Sequence, residues 1–352
     1  MKAIQQYTVI RKSETLIAEA ENWEEIIAFI RTKYVKVLWV IDKKVRPLIP
    51  LDSHDTILEI DGGDKSKSFA GFESLVKALA DMELDRTGHI VAVGGGSISD
   101  LVGYVASVYL RGISFSIIPS TLLSLIDASM GGKNGINYVG KKNQLGTIYQ
   151  PSTIIYIPEL ITHLPIDELA DGFAEIIKYG LILDQGLFAK LEESNLEKII
   201  GNQVRFSEII NSCIIHKSNI IKEDPFEYDL RRILNYGHTI GHAIESIYGL
   251  SHGKAVGLGM YFSAKLSEII YGSELQLAKK IRQILPAYHL PIRLEVFSAN
   301  DIFEKIISDK KRENDNIHFV LLEKIGRAHV EKIPMDRLME YLNIAEREKW
   351  MC

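Results

Sequence analysis

The stretch Ile90-Val-Ala-Val-Gly94-Gly-Gly-Ser-Ile-Ser-Asp100 decides the class of fold. Four apolar residues read as a short buried strand. Three glycines follow at once, and the small-residue segment Leu101 to Leu110 then has helical spacing. A strand that passes through glycines into a helix can cradle a phosphate. The glycines let the backbone approach an anion, and the helix N-terminus supplies free N–H groups and partial positive charge. Asp100 is placed to cap that helix or to contact a ribose. The spacing is not the GxGxxG of the ordinary dinucleotide fingerprint, and a triple glycine alone is often only a tight turn. The strand before it and the helix after it favour the nucleotide reading.

Working outward, Lys36-Val-Leu-Trp-Val-Ile-Asp42 is an apolar run ending in an acid, and Phe115-Ser-Ile-Ile-Pro119 is a further strand. The segment from Glu73 to Leu84 has helical spacing. Strands alternating with helices predict a parallel sheet layered with helices. From Pro158 the period changes to about 3.6. Helices are expected over Asp167 to Leu183, Leu187 to Ile199, Phe206 to Ile221, Leu230 to Ile247 and Ala255 to Tyr271. The sequence therefore predicts an α/β domain over residues 1–155 and a helical domain over 156–352, with a ligand expected between the two.

Composition sets outer limits. The chain has 352 residues, 46% of them hydrophobic and 25% charged, the balance of a soluble globular protein. A net charge of −5 gives no electrostatic case for nucleic acid or an anionic membrane. Cys213 and Cys352 form no motif, the N-terminal MKAIQQYTVIRKSE lacks an apolar signal core, and the apolar runs are too short to cross a bilayer. A cytoplasmic protein is expected.

Three polar segments carry candidate chemistry. In Arg231-Arg-Ile-Leu-Asn-Tyr-Gly-His-Thr-Ile-Gly-His242, helical spacing puts His238 and His242 one turn apart, with Arg231 and Asn235 on that same face. His252 follows just past a break at Gly249. In Asp171-Gly-Phe-Ala-Glu175-Ile-Ile-Lys178, Glu175 and Lys178 stand three residues apart among apolar neighbours. Such a pair is most often a surface salt bridge of little energetic weight. A buried glutamate needs a partner, however, and with two of the histidines it would form a three-ligand metal site with open positions. Lys217 adds a further cation. In the segment from Pro119 to Asn143, rich in glycine and charge, Lys133 follows two glycines, and Lys142 and Asn143 offer more donors. A solvated loop is the bland reading; a loop this long between buried strands is often functional.

Taken together, these motifs resemble the dehydroquinate synthases and the wider sugar phosphate cyclase family. The resemblance runs from about Leu38 to Val330. It is strongest in GGGSISDLVGYVASVYLRG (94–112), PSTLLSLIDASMGGKNGIN (119–137), KNQLGTIYQP (142–151), LPIDELADGFAEIIKYGLI (164–182), RRILNYGHTIGHAIE (231–245), SHGKAVGLGM (251–260) and SDKK (308–311). It implies a Rossmann-like α/β domain binding NAD, a helical domain binding one divalent metal (zinc or cobalt), and a homodimer. By motif position it implies Glu175, His238 and His252 as metal ligands, with His242 a neighbouring active-site residue. Gly95, Gly96, Asp100, Thr121 and Lys142 would contact NAD, in a cofactor set that extends to Asp42, Asp64, Lys67, Ser120 and Asp127. Asp127, Lys133, Asn143 and Lys178 would line the substrate pocket; Lys310 or Lys311 would reach a phosphate; Arg111 would be lent to the partner's phosphate site.

The resemblance also implies the reaction. A hydroxyl is oxidised by NAD, phosphate is eliminated, the ketone is reduced again, and the opened chain closes by an intramolecular aldol step. Relatives differ in whether the sugar phosphate carries a carboxylate. Lys217, Arg231 and Asn235 stand where the dehydroquinate enzymes hold that group, so 3-deoxy-arabino-heptulosonate 7-phosphate is the expected substrate. Other cyclases, of amino-dehydroquinate, deoxy-inosose or valiolone type, are the alternative. Metal-dependent alcohol and glycerol dehydrogenases share the GGGS turn but need no phosphate-binding lysines. A metal-free regulator is disfavoured by the complete ligand trio. Four positions depart from the family pattern: Lys254 for a common Glu, Asp64 for Glu, His163 for a Thr and Ser120 for Thr. A lysine pointing inward at 254 would weaken the metal.

Overall fold

A computed structural model describes residues 13–309 and 315–351. Lys310 and Lys311 lie outside the described residues. The chain divides into two compact units. The first takes residues up to 119 with 132–138 and 142–156; the second takes 120–131, 139–141 and everything from 157 onward. Residues 120–131 and 139–141, inside the segment that sequence assigns to the first domain, thus pack with the second unit.

Among the described residues, the first unit is built on a six-stranded sheet, in the order β1-β8-β5-β4-β2-β3. The strands are β1 (Leu16–Glu19), β2 (Val37–Asp42), β3 (Thr56–Ile60), β4 (His89–Gly94), β5 (Ser114–Pro119) and β8 (Thr153–Tyr156); β6 (Lys133–Tyr138) and β7 (Lys141–Ile148) form a separate hairpin. Every neighbouring pair in the sheet is parallel. A parallel sheet is covered on both faces, so its strands read as unbroken apolar runs. In β4 all six residues are buried, and in β2 all but Val37. Each fully buried Leu, Ile or Val there contributes about 1.5–3 kcal/mol over its exposed state. Helices α1 (Trp23–Lys33), α2 (Phe69–Asp81) and α3 (Gly96–Val108) join the strands. Successive strands run outward in opposite directions from β2 and β4, so the order reverses between these two. Asp42 ends β2 and Gly94 ends β4, which brings both to the carboxyl edge at the reversal.

The polar segment from Pro119 to Asn143 is not a loop. A π-helical turn, Ser124–Ala128, is followed by the β6–β7 hairpin. The hairpin turn is only Val139-Gly140, and both residues have positive φ. Asn134 fixes the hairpin base: its Nδ2 donates to the carbonyls of Gly132 and Tyr149, each at 2.8 Å.

The second unit is mainly helical. Its longer helices are α5 (Ile166–Ile182), α8 (Gln203–Glu223), α9 (His238–Tyr248) and α10 (His252–Tyr271). Helix α5 is buried from Leu169 to Ile182 apart from Asp171, which explains its apolar residues on every side. Helix α10 packs against α5 and α9. Two expected helices are broken. The period over Leu187 to Ile199 spans α6 (Gln185–Glu192) and α7 (Leu196–Ile200), each N-capped by its own side chain, Asp184 and Asn195. The period over Leu230 to Ile247 spans a 3₁₀ helix, Leu230–Asn235, and α9. Gly237 separates them at φ +78, a conformation that favours glycine. The unit also holds an antiparallel hairpin of β9 (Asn316–Lys324) and β10 (Arg327–Pro334), which helical periodicity did not anticipate. Among the described residues no helix is long and apolar enough to cross a membrane.

Candidate metal and substrate site

Glu175 rises from the middle of α5 and is fully buried. His238 opens α9 directly after the Gly237 turn, and His252 opens α10. The Nε2 atoms of His238 and His252 face one carboxylate oxygen of Glu175, at 3.4 and 3.3 Å. The other ring nitrogens are occupied. Nδ1 of His238 donates to the Tyr236 carbonyl at 3.1 Å, and Nδ1 of His252 to the Glu245 carboxylate at 3.4 Å. These contacts leave both Nε2 atoms turned toward Glu175, so that a cation replacing the proton on His252 would meet a lone pair on each ring. A tetrahedral cation with ligand bonds of about 2.0–2.1 Å sets ligand atoms roughly 3.3 Å apart. The two separations from Glu175 match that spacing, and all three ligand atoms lie within 4.8 Å of one another. A second trio, His242, Glu245 and His252, also lies within 4.8 Å, but it shares His252 and His242 is exposed. The His238 and His242 rings are 5.2 Å apart, so the helical pair is adjacent even though half-buried His252 completes the trio with Glu175.

Charge at this point follows the same geometry. Burial pushes the Glu175 carboxyl up, but Lys178 and His238 outweigh it and hold the group well below the usual carboxylate range. Burial, aided by Lys178, lowers His238 to about 3, so its ring is neutral and its lone pair available. Burial opposes protonation of His252, yet Glu175 and Glu245 together raise it to about 10. A field that binds a proton this strongly also favours a divalent cation.

Beside the trio runs a chain of alternating charges. Lys178 is almost fully buried and ion-pairs with Glu175; burial would discharge it, and Glu175 with Asp127 holds its pKa above the usual value. Asp127 stands in the π-helical turn, where its carboxylate and carbonyl both accept from Lys217. Burial pushes Asp127 up, but Lys217 and Lys178 bring it down to about 2. Burial, with Lys178 and Arg231 nearby, lowers Lys217 below the ordinary lysine value. Tyr179 donates to the Ile126 carbonyl at 3.3 Å and so ties the π turn to α5. Arg231 is also buried, and its Nη1 donates to the carbonyls of Gly131 (3.2 Å) and Pro225 (2.8 Å). All these residues belong to the second unit.

In the first unit the expected cofactor residues separate into groups. Gly95 is the N-cap of α3 and offers no side-chain cap; the Ile98 N–H bonds the Gly95 carbonyl, which leaves the Gly96 and Ser97 N–H groups to meet an anion. Asp100 lies inside α3, so it does not cap the helix; it pairs with buried Lys67, which also donates to Asn143. Asp42 is buried, and a side chain at Gly62 would collide with its carboxylate. Asp64 and Lys142 form an exposed pair at 3.1 Å. In the second unit Ser120 is buried and Thr121 Oγ1 accepts from the Ser124 N–H. Lys133 and Arg111 are exposed. Of the departures, Lys254 points to Asp167, at 2.7 Å, so the fear that it turns on the metal ligands is corrected; His163 is exposed and bonds the Glu159 carbonyl.

Two family models cover this geometry: 3-dehydroquinate synthase N-terminal over residues 57–171, and 3-dehydroquinate synthase C-terminal over 172–312. The chain belongs to the 3-dehydroquinate synthase family. It is 42% identical to the 3-dehydroquinate synthase of Methylacidiphilum infernorum, over 78% of this chain and 77% of that one. It is 33% identical to that of Prochlorococcus marinus, over 97% and 95%. Its fold matches a 2-epi-5-epi-valiolone synthase from Streptomyces hygroscopicus at a TM-score of 0.86 and 24% identity, covering 98% of this chain and 100% of the other; that structure holds NAD⁺ and Zn²⁺.

Sequence reasoning passed over several supporting residues. Glu245 stands three residues after His242, a spacing that could have flagged it. Asp171 Oδ1 accepts from Ser251 Oγ at 2.6 Å and the Gly253 N–H at 2.9 Å, fixing the start of α10 and with it His252. Asp224 accepts from the N–H groups of Tyr228, Asp229 and Arg231, and Glu227 accepts from Asn235 Nδ2 at 2.7 Å. No local pattern announces these contacts, because they join residues across turns.

Proposed function

We propose that this chain converts 3-deoxy-arabino-heptulosonate 7-phosphate into 3-dehydroquinate and phosphate, with bound NAD and one divalent cation. The observation that carries the reading is the convergence of Glu175, His238 and His252 beside the Lys178–Asp127–Lys217 charge chain, in a member of this family. NAD supplies a hydride acceptor that is restored each turnover, and the cation supplies Lewis acidity at the substrate oxygen.

The protein's part is binding, orientation and proton control. Glu175, His238 and His252 would hold the cation. The bare α3 N-terminus at Gly95 and Gly96 would take the dinucleotide phosphates, with Asp42 beside it at the strand-order reversal. Asp64, Lys67, Asp100, Thr121 and Lys142 complete the proposed cofactor set. Asp127, ionised far below neutrality, is suited to accept hydrogen bonds from substrate hydroxyls and to hold Lys217 in place. Lys178 places positive charge where an anionic substrate sheds phosphate, and Lys217, Arg231 and Asn235 are proposed for its carboxylate. His242, exposed and next to His238, is proposed to move a proton. Lys133, Asn143, Arg111 and the Lys310–Lys311 pair are proposed for the phosphate. Arg111 would act in a homodimer; its backbone, at φ +66 after Leu110 at φ +48, is held in a strained turn. The buried, unpaired Cys213 fits a reduced, cytoplasmic compartment.

The test is product identification by NMR with metal- and NAD-loaded protein, comparing the heptulosonate phosphate with a neutral sugar phosphate. Conversion of the first alone supports the assignment. Conversion of the second alone moves the chain to another cyclase.

A further inference from the structure

Helix α9 carries His238, His242 and Glu245 at spacings of four and three residues, which puts all three along one face. The row leads outward, from buried His238 to exposed His242 and half-buried Glu245. His252 stands beside it, with its ring 5.3 Å from that of His238 and 6.0 Å from that of His242. Its two nitrogens meet different partners. Nε2 lies 3.3 Å from Glu175, and Nδ1 lies 3.4 Å from Glu245. Among the described residues, two ligand trios therefore share one histidine: an inner set of Glu175, His238 and His252, and an outer set of His242, Glu245 and His252.

The inner set is hard to reach in one step. Glu175 is fully buried, and its second carboxylate oxygen pairs with buried Lys178, whose ammonium repels a cation from that side. A hydrated dication entering such a place at once would lose its water shell before gaining ligands, which is costly. Groups that replace the waters one or two at a time divide that cost. The outer set is arranged for this. His242 meets solvent, Glu245 supplies negative charge, and the His238 ring is the next stop at 5.2 Å from His242.

We propose that His242, Glu245 and His252 form an entry site, through which a divalent cation reaches the inner trio. The cation is held first by His242, Glu245 and Nδ1 of His252, and then passes to Nε2 of His252, His238 and Glu175. The proposal rests on the reading that the inner trio holds the resident cation. Zinc or cobalt fits both sets, since both offer imidazole and carboxylate.

The test follows cobalt(II) uptake by chelator-stripped protein in stopped flow, and cobalt release into chelator. It compares the parent chain with His242→Ala, His242→Asp and Glu175→Gln, and records thermal midpoints. A group that binds the cation only in passage changes uptake and release by one common factor, so their ratio stays fixed. His242→Ala should slow both, on the order of 10- to 100-fold, the range for losing one supporting group at a metal site. Equilibrium affinity and midpoint should stay at the parent values. His242→Asp restores a ligand atom and should recover part of both rates. Parent-like rates in His242→Ala overturn the proposal. So does weakened affinity at an unchanged uptake rate, which marks a direct or positioning role, and so does a parent chain that takes up no cobalt. Glu175→Gln should lose tight cobalt; tight cobalt in that variant overturns the inner trio as the destination. Because no turnover is read, the outcome is separate from whether the heptulosonate phosphate is converted.

Discussion

Glu175 and Lys178 show how one buried pair serves both stability and chemistry. Each neutralises the other at almost no exposure; Glu175 also faces two histidines, and Lys178 faces Asp127. Removing one partner of a buried pair costs about 3–5 kcal/mol, because the survivor is stranded. Glu175→Ala should therefore lower the unfolding free energy by about 3 kcal/mol even in chelator, and should abolish stoichiometric metal. Equal stability of the variant and parent in EDTA would show that Lys178 finds another partner. His242→Ala should keep metal content at one ion per chain, as Glu175, His238 and His252 remain; loss of the ion would transfer the ligand role to His242. The spacing of the histidines and the buried setting of Glu175 were legible in the sequence. The state of Arg231 was not, since a one-residue difference in helical period redirects its side chain.

At the scale of elements, glycines aim the histidines. Gly237 breaks the chain between the 3₁₀ helix and α9 at φ +78, and a Cβ there would meet Met260 Cγ at 2.6 Å and its N at 2.9 Å. Gly237→Ala should cost at least about 1–3 kcal/mol through strain and overpacking, and should weaken metal binding by displacing His238. Parent-like metal affinity would show that the turn does not position the ring. The alternation of strands and helices in the first unit was readable, because parallel strands are unbroken apolar runs. The start of α3 at the glycines was readable in outline. The breaks within the helical periods were not, since periodicity continues across a turn when both pieces bury the same face. The β9–β10 hairpin was missed for a related reason: its short apolar run fits either period until the Gly326 turn is recognised.

At the scale of the molecule, a buried histidine in the sheet contributes to the acid response. His89 stacks on Tyr34 at 3.5 Å and bonds Ser114 Oγ and Ser116 Oγ at 3.0 and 2.9 Å. Burial, with Lys33 nearby, depresses its pKa from 6.5 to about 3. The unfolded chain takes up a proton near 6.5 and the folded chain only near 3. Between these values the unfolded state binds more protons, so stability falls as pH drops below 6.5, by up to roughly 1.4 kcal/mol per pH unit from this group. Urea unfolding at pH 7, 6 and 5 should show that decline, and His89→Gln should lessen it, with His238 keeping a share of the same sign. An equal slope in the variant would assign the acid sensitivity elsewhere. The central claim concerns the reaction: NAD acts and is restored while phosphate leaves. Its most direct measurement is the ratio of phosphate released to NADH accumulated, with 3-deoxy-arabino-heptulosonate 7-phosphate in large excess over NAD and metal-loaded protein. Many phosphates per NAD and no net NADH are expected. Accumulation of NADH in step with substrate consumed, without phosphate, would make this chain a dehydrogenase and contradict it.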